Sequence, residues 1–432
     1  MNKEILRLAI PNIISNISIP LLSTVDTMLM GRLSEMHIGA VGVGAMIFNF
    51  IYWNFGFLRM GTTGITAQAF GKKDDSAIMQ TLSRALLVAL ILAVVIFLLQ
   101  IPFGEMSFYL MNISSEQYHL VEEYFYIRIW AAPATLGLFA MMGWFFGMQN
   151  AVFPLIITVF VNIINIILSY FFVKILNWDV AGVAWGTVIA QYAGIILSFF
   201  LFYRKYKSHL AHFNQKAMLQ IDALKQYLTI NGDIFIRTFC LTFAFGFFYS
   251  QSSVAGGTVL AANVILLQFL NWMSYGVDGF AFASESLVGK YEGAKDHVNL
   301  KKAIRLSFVW GMVLAGGFSL TYLIFGNELV HIFTDKENVI EASLPFLFWM
   351  IIFPVISTPC YIWDGIYIGL TASKAMRDTM LVSLMIYIFF YFLLKDGYGN
   401  HGLWAALLIF MGARGLIQWI YYERKLKVRI EE

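Results

Sequence analysis

Residues 8–30, LAIPNIISNISIPLLSTVDTMLM, carry one charged side chain, Asp26, in a run otherwise built of apolar and small polar residues. At 1.5 Å per residue a helix of this length crosses the ~30 Å hydrocarbon core of a bilayer. An ionised group is costly there, so a carboxylate kept in such a helix is a candidate for handling a proton, a cation or a substrate. Pro11 and Pro20 interrupt the same run, and prolines in a spanning helix free backbone groups and permit bending. The stretch reads as a first membrane span and points to transport.

The rest of the chain agrees. Its 432 residues are 59% hydrophobic and 13% charged, with a mean hydropathy of +0.72; an ordinary soluble domain carries about 25% charged residues. Apolar runs recur at 86–99, 152–173, 180–203, 307–325 and 342–362. The run lengths predict an all-α membrane protein with about twelve transmembrane helices. Polar residues 1–7 lead into the first run with no small-residue cleavage site, so that run is expected to be a retained span. Cys240 and Cys360 both fall in predicted spans, which reads as buried thiols rather than a disulfide or metal framework.

The net charge of +3 is concentrated in short connections, and membrane topology accounts for it without nucleic acid. Lys72 and Lys73, the group from Arg204 to Lys225, the group from Lys290 to Arg305, Lys374 with Arg377, and Arg424 to Arg429 all belong to alternate connections and the C-terminus. The intervening connections hold Glu105, Glu116, Asp179, Glu328 and Asp335. The positive-inside rule then predicts a multi-pass protein of the cytoplasmic membrane with both termini cytoplasmic.

The two halves resemble each other. Gly71-Lys72-Lys73-Asp74 closes the second predicted span and Gly293-Ala294-Lys295-Asp296 the eighth, an offset of 222 residues (71 to 293). The same offset pairs Asn49 with Asn271, Ala40 with Ala262, and Gly147-Met148-Gln149 with Gly369-Leu370-Thr371. A repeat of six spans keeps both copies in one orientation, as in transporters with parallel repeats. The expected organisation is a six-helix lobe over residues 1–204, a basic cytoplasmic linker over 205–221, and a second six-helix lobe over 222–432, the two lobes flanking a central cleft.

Polar residues inside the spans mark the candidate path. In the first lobe they are Asp26, then Asn162, Asn165 and Ser169 at i, i+3, i+7 on one helix face, then Thr187 and Gln191 at i, i+4 on another. A carboxyl set among amides and hydroxyls in low dielectric is biased toward its neutral form, which suits a group that cycles a proton. The Asn and Ser side chains could equally bind helices together. The second lobe is richer in charge. Asp233 and Arg237 are spaced for an ion pair within one helix. Asp278 and Glu285 share a face of the eighth span, and Asp364 sits in the tenth. With Arg237 and Arg414 these acids could form a buried network, architectural or functional.

These residues carry a family resemblance. Pro11 followed by Val25-Asp26-Thr27, the segment 61–71 ending Ala67-Gln68-Ala69-Phe70-Gly71, Asp278-Gly279-Phe280-Ala281 followed by Glu285 and Val288-Gly289, and Asp364-Gly365-Ile366-Tyr367-Ile368-Gly369 followed by Met376-Arg377 together resemble the multidrug and toxic compound extrusion (MATE) transporters, and more closely their DinF branch. The resemblance covers nearly the whole chain. It implies a twelve-helix exporter of amphipathic, often cationic compounds driven by inward proton or sodium movement. In that family the first-span aspartate works with Asn and Asp of the fifth span and Thr of the sixth. Asp26, Asn165 and Thr187 match those places, while Ser169 stands where the fifth-span acid would be. With one carboxylate instead of two the site suits a proton better than sodium, although sodium stays open through the second lobe.

The expected mechanism is antiport by rocking of the lobes, with Asp26 as proton carrier and no cofactor beyond the coupling ion. The expected partners are small organic substrates and membrane lipids, with no nucleic acid, and the chain is expected to act as a monomer. Met28, Met30, Met46, Met141 and Met142 are candidates for an adaptable lining. A lipid-linked oligosaccharide flippase shares the two-lobe plan, but intramembrane cations to hold a pyrophosphate are few: Arg59, Arg128, Arg237 and Arg414. An enzyme is disfavoured, because the seven histidines are scattered with no metal-ligand or nucleophile spacing.

Overall fold

The computed structural model describes the backbone of residues 1–30 and 35–428, and the side chains of residues 1–18 and 36–428. The described residues are helical, with no strand among them. Among the described residues ten helices are long and apolar enough to cross a membrane: Met36–Lys72, Asp75–Leu98, Ser115–Gly147, Val152–Ile175, Asp179–His212, Ile221–Val254, Gly257–Gly293, His297–Phe333, Glu337–Gly369 and Ser373–Leu426. The helix Asn2–Met30 precedes them. The last of the ten is two spans, because Gly399 (φ 50°, ψ −126°) breaks its helix. Spans are numbered accordingly, Met36–Lys72 being the second and residues 400–426 the twelfth.

The backbone repeats where the sequence does. Lys73 and Lys295 end the second and eighth spans in the left-handed region, at φ 57° and 55°. Gln149 and Thr371 follow the fourth and tenth spans at φ 61° and 52°, and Asn177 matches Gly399 at φ 52° and 50°. Each pair is 222 residues apart. A residue other than glycine in this region costs roughly 1–2 kcal/mol, so a matched set of such turns reflects one architecture used twice. The caps repeat too: Asp74 Oδ1 accepts from the Ala77 N–H (2.9 Å) and Asp296 Oδ1 from the Asn299 N–H (3.0 Å). Hydrogen bonds from the Asn299 side chain and backbone hold the Asp296 carboxyl below its ordinary range. That cap is therefore intact above the usual aspartate pKa and weakens as pH falls through the lowered value.

Close helix crossings repeat as well. A Cβ on Gly143 would lie 2.3 Å from the Arg59 carbonyl oxygen, and one on Gly365 would lie 2.2 Å from that of Ala281. One turn on, a Cβ on Gly147 would lie 2.5 Å from Thr66 Cβ, and one on Gly369 would lie 2.9 Å from the Gly289 nitrogen. The fourth span thus meets the second through a G-x-x-x-G pair, and the tenth meets the eighth through its counterpart. Spanning helices associate by close packing, which small residues allow.

Two compact units are present, Ile14–Leu228 and Met1–Ile13 with Thr229–Glu432. The sequence places the division within 205–221. Instead, that segment packs into the first unit. Arg84 donates to the carbonyls of Ala217 (2.7 Å) and Met218 (3.2 Å), and Gln80 Nε2 to that of His212 (3.1 Å). The first thirteen residues group with the second unit because Ile5, Leu8 and Ala9 are buried there. Gly279 lacks the Cβ that would strike Ile13, and Glu4 Oε1 meets Lys290 Nζ at 3.3 Å. Met141 belongs to the first unit's core with Trp144, Phe145 and Tyr206, and Met142 packs against it. Their role is packing, whereas Met28 and Met30 lie outside the described side chains.

Gly143→Val and Gly365→Val must each displace a facing backbone carbonyl, and overpacking of this kind costs at least about 1–3 kcal/mol. Both are expected to lower the detergent-solubilised melting temperature. Gly316→Ala, with open space around the added carbon, is expected to leave it unchanged or raise it.

Candidate coupling site

The fifth and sixth spans bring together three of the predicted first-lobe residues. Asn165 and Ser169 are one turn apart on the buried face of the fifth span, 1% and 0% exposed. Asn165 Nδ2 donates to Thr187 Oγ1 of the sixth span at 2.9 Å, and that hydroxyl donates to the Val183 carbonyl one turn back at 3.0 Å. The chain of bonds fixes the amide's orientation, with its oxygen turned away from Thr187. Gly186 lets the spans close, since a Cβ there would lie 2.6 Å from Ser169 Oγ. Among the described residues, Asn165 Oδ1 and Ser169 Oγ are buried without a hydrogen-bond partner. Polar atoms in that condition are rare and call for a proton, ion or water that completes them. Asn162, nearer the start of the fifth span, donates to Ser18 Oγ (3.1 Å) and the Ser18 carbonyl (3.3 Å) of the first. Asp26, eight residues beyond Ser18, lies outside the described side chains.

The second lobe assembles a charged cluster around Asp364. Its Oδ2 accepts from Nη2 of Arg414 (2.7 Å) and from Nη2 of Arg237, and its Oδ1 accepts from Gln418 Nε2 (2.9 Å). All four side chains are buried. Within this hydrogen-bonded set two guanidiniums share one carboxylate, and both Arg237 Nε and Arg414 Nε are buried without a partner. Asp278 is half-buried and Glu285 buried on the eighth span. Ala281 lies on the face between them, and its carbonyl is where Gly365, next to Asp364, packs. The expected Asp233–Arg237 pair within one helix does not form. Arg237 turns to Asp364, and Asp233 takes Arg377 Nη1 (2.7 Å) and the Ser373 hydroxyl (2.8 Å) instead. A carboxylate on a neighbouring helix offers a bond that the stretched i, i+4 geometry does not.

Sequence reasoning missed Gln418 and the Asn263 node. Gln418 stands one turn after Arg414, a spacing that puts two donors on one face in search of an acid. Asn263 exchanges amide bonds with Asn400 (2.8 and 2.9 Å), donates to Ser252 Oγ (2.8 Å) and accepts from Trp404 Nε1 (2.9 Å). It ties the seventh, eighth and twelfth spans. Its only sequence signal is a lone buried amide.

A helical, multi-pass membrane protein with an internal six-span repeat and polar clusters buried in its spans is built as a transporter, not as an enzyme. Comparison with known proteins agrees. The MatE family model matches residues 11–171 and 234–393, two segments that follow the repeat. The chain is 34% identical to DNA damage-inducible protein F of Escherichia coli over 416 residues, 96% of this chain and 90% of that one. It is 24% identical to Protein DETOXIFICATION 44, chloroplastic, of Arabidopsis thaliana over 429 residues, 95% of this chain and 80% of the relative. In structure it superposes on a variant of the MATE transporter VcmN of Vibrio cholerae with a TM-score of 0.88 at 18% identity, covering 99% of this chain and 97% of that one. This chain belongs to the MatE (MATE) family.

Asp364→Asn would leave two buried guanidiniums without their counter-charge, a loss of about 3–5 kcal/mol. Arg237→Met removes one of the two guanidiniums that Asp364 bonds and is expected to cost less. Folded yield and melting temperature of the two variants, measured side by side, check this ordering.

Proposed function

We propose that this chain is a proton-coupled antiporter that exports amphipathic or cationic organic compounds across the cytoplasmic membrane by alternating access, acting as a monomer with both termini cytoplasmic. Asp26 carries the proton, and Asn165, Thr187 and Ser169 are its polar surroundings. The observation that carries the reading is the composition of the buried fifth–sixth span cluster: an amide and two hydroxyls, with Ser169 Oγ and Asn165 Oδ1 unpartnered among the described residues. Neutral groups of this kind solvate a protonated carboxyl, whereas a sodium site calls for several oxygens and negative charge. The tenth-span acid offers sodium little, because Arg237 and Arg414 already claim Asp364.

The same engagement argues against a pyrophosphate-lined flippase. Arg237 and Arg414 are held by Asp364, and Arg128 lies over the rings of Phe48 (5.3 Å) and Tyr52 (5.4 Å). Export of organic compounds is supported by family membership and by the detoxification protein among the relatives. For a neutral substrate the membrane potential alone suffices, whereas one-for-one exchange of a proton with a monovalent cation is electroneutral and draws on the pH difference. One proton moved through ~100 mV supplies about 2.3 kcal/mol, roughly a 50-fold gradient of a neutral substrate.

In proteoliposomes, an imposed pH gradient is expected to drive substrate exchange and a sodium gradient alone is not. Asp26→Asn is expected to abolish proton-driven exchange while still binding substrate. Exchange at full rate by that variant would overturn the assignment of the carrier. Thr187→Val removes the acceptor that fixes Asn165, and is expected to shift the pH dependence of exchange rather than abolish it.

A further inference from the structure

A groove of about 580 Å³ opens on the second unit between the ninth, tenth and twelfth spans. Its volume is that of a ligand site. Small residues make it: a Cβ on Gly415 would lie 3.3 Å from Pro359, and one on Gly412 3.3 Å from Ile356. The spans therefore touch along a seam while the larger side chains stand away on either side. Val355, Ile356, Leu416 and Trp419, which line it, are 38%, 42%, 54% and 50% exposed, as expected of a surface that faces hydrocarbon. At the terminal end of the groove Phe308 meets Trp363 edge-on and Trp363 meets Tyr422 at a tilt, with ring centroids 5.1 and 4.9 Å apart. Aromatic side chains of this type mark the membrane–water boundary.

Length and charge identify the occupant. From Gly412 to Glu423 the lining covers about 16 Å of the twelfth span at 1.5 Å per residue, close to half of a ~30 Å hydrocarbon core. The groove thus runs from one interface to the middle of the bilayer, the depth of a single leaflet. Its terminal end is basic. Arg305 follows Ile304 of the lining and Arg424 follows Glu423; both are exposed, whereas Lys425 turns its Nζ over the ring of Tyr421, outside the lining, at 5.3 Å. The rim acid, Glu423, is taken by Lys427 at 2.7 Å, so it does not cancel them. A basic rim over an apolar slot between spans fits a phosphate-bearing headgroup with its acyl chain below.

We infer that this groove is a binding site for one anionic phospholipid, its acyl chain lying between the ninth, tenth and twelfth spans and its phosphate held by Arg305 and Arg424. The inference is independent of the coupling ion and of the substrate. The acyl chain fills the slot beside the seam at which the glycines let the twelfth span, which carries Arg414 and Gln418, touch the tenth, which carries Asp364.

The test is native mass spectrometry of the full chain, delipidated in detergent and titrated with phosphatidylglycerol or with phosphatidylcholine of identical acyl chains. Phosphatidylglycerol is expected to bind as a saturable first lipid at least tenfold more tightly. Each interfacial cation is worth about five-fold in affinity, so Arg305→Gln with Arg424→Gln should weaken that first binding roughly 30-fold. Lys72→Gln with Lys73→Gln, a basic pair outside the groove, should leave it unchanged. Val355→Trp, which fills the slot without touching the charges, should weaken both lipids. Equal binding of the two lipids, equal losses from the two charge variants, or an indifferent Val355→Trp would each overturn the site. Arg305→Gln serves where the double variant does not fold, with a five-fold loss expected.

Discussion

Helices immersed in lipid gain nothing hydrophobic by meeting, so what holds them is how closely their backbones approach. In this protein that approach is set by two glycine pairs, Gly143 with Gly147 and Gly365 with Gly369, which seat the fourth span on the second and the tenth on the eighth. The left-handed turns at Gln149 and Thr371 follow directly, and those at Lys73 and Lys295 end the spans on which the glycines pack. One crossing geometry, used twice, generates both lobes. The substituents the crossing carries are then free to differ.

They differ in charge. Asp364 stands immediately before Gly365, and the corresponding first-lobe residue before Gly143 is Met142. Arg237 and Arg414 correspond to Ser15 and Tyr192, so the charged cluster has no counterpart in the first lobe. Conversely, Asn165 and Ser169 correspond to Tyr387 and Tyr391. There the space holds aromatic rings instead, with Phe247 edge-on to both at 5.7 and 4.9 Å and Tyr391 bonded to Gln251 at 2.6 Å. Between its fifth and sixth spans one lobe buries neutral polar groups with spare hydrogen-bonding capacity among the described residues. The other buries charges that are already bonded to one another.

Much of this was legible in the sequence, for a physical reason. Membrane helices announce themselves by composition, and a repeat shows through its glycines and turns even where apolar residues blur it. The kink at Gly399 and the turn at Asn177 share the offset found from Gly71 and Gly293, although only the backbone reveals that match. Face assignments were equally readable, since Asn165, Ser169 and Thr187 fall where helical spacing puts them. Partner choice was not. Arg237 was expected to bond Asp233 four residues away, but its acid lies 127 residues on, at Asp364. Nothing local distinguishes one buried carboxylate from another when helix packing decides which of them is near. The packing of 205–221 onto the third span was hidden likewise, because the carbonyls that Arg84 caps carry no side-chain signature.

The asymmetry has a consequence for how a proton could do work here. A buried ion pair resists titration, because changing one partner strands the other in low dielectric. Asp364, bonded to two guanidiniums and an amide, serves best as a rigid brace. A site meant to change charge must instead have neighbours that tolerate both states. Hydroxyls do so, since each can donate to a carboxylate or accept from a carboxyl by rotating its hydrogen. In the proposed site Ser169 serves as such a neighbour to Asp26, and Thr187, with its own hydrogen committed to the Val183 carbonyl, holds the Asn165 amide steady. On the proposed reading, the lobe that switches and the lobe that stays fixed are distinguished by which of the two kinds of polar group their helices enclose.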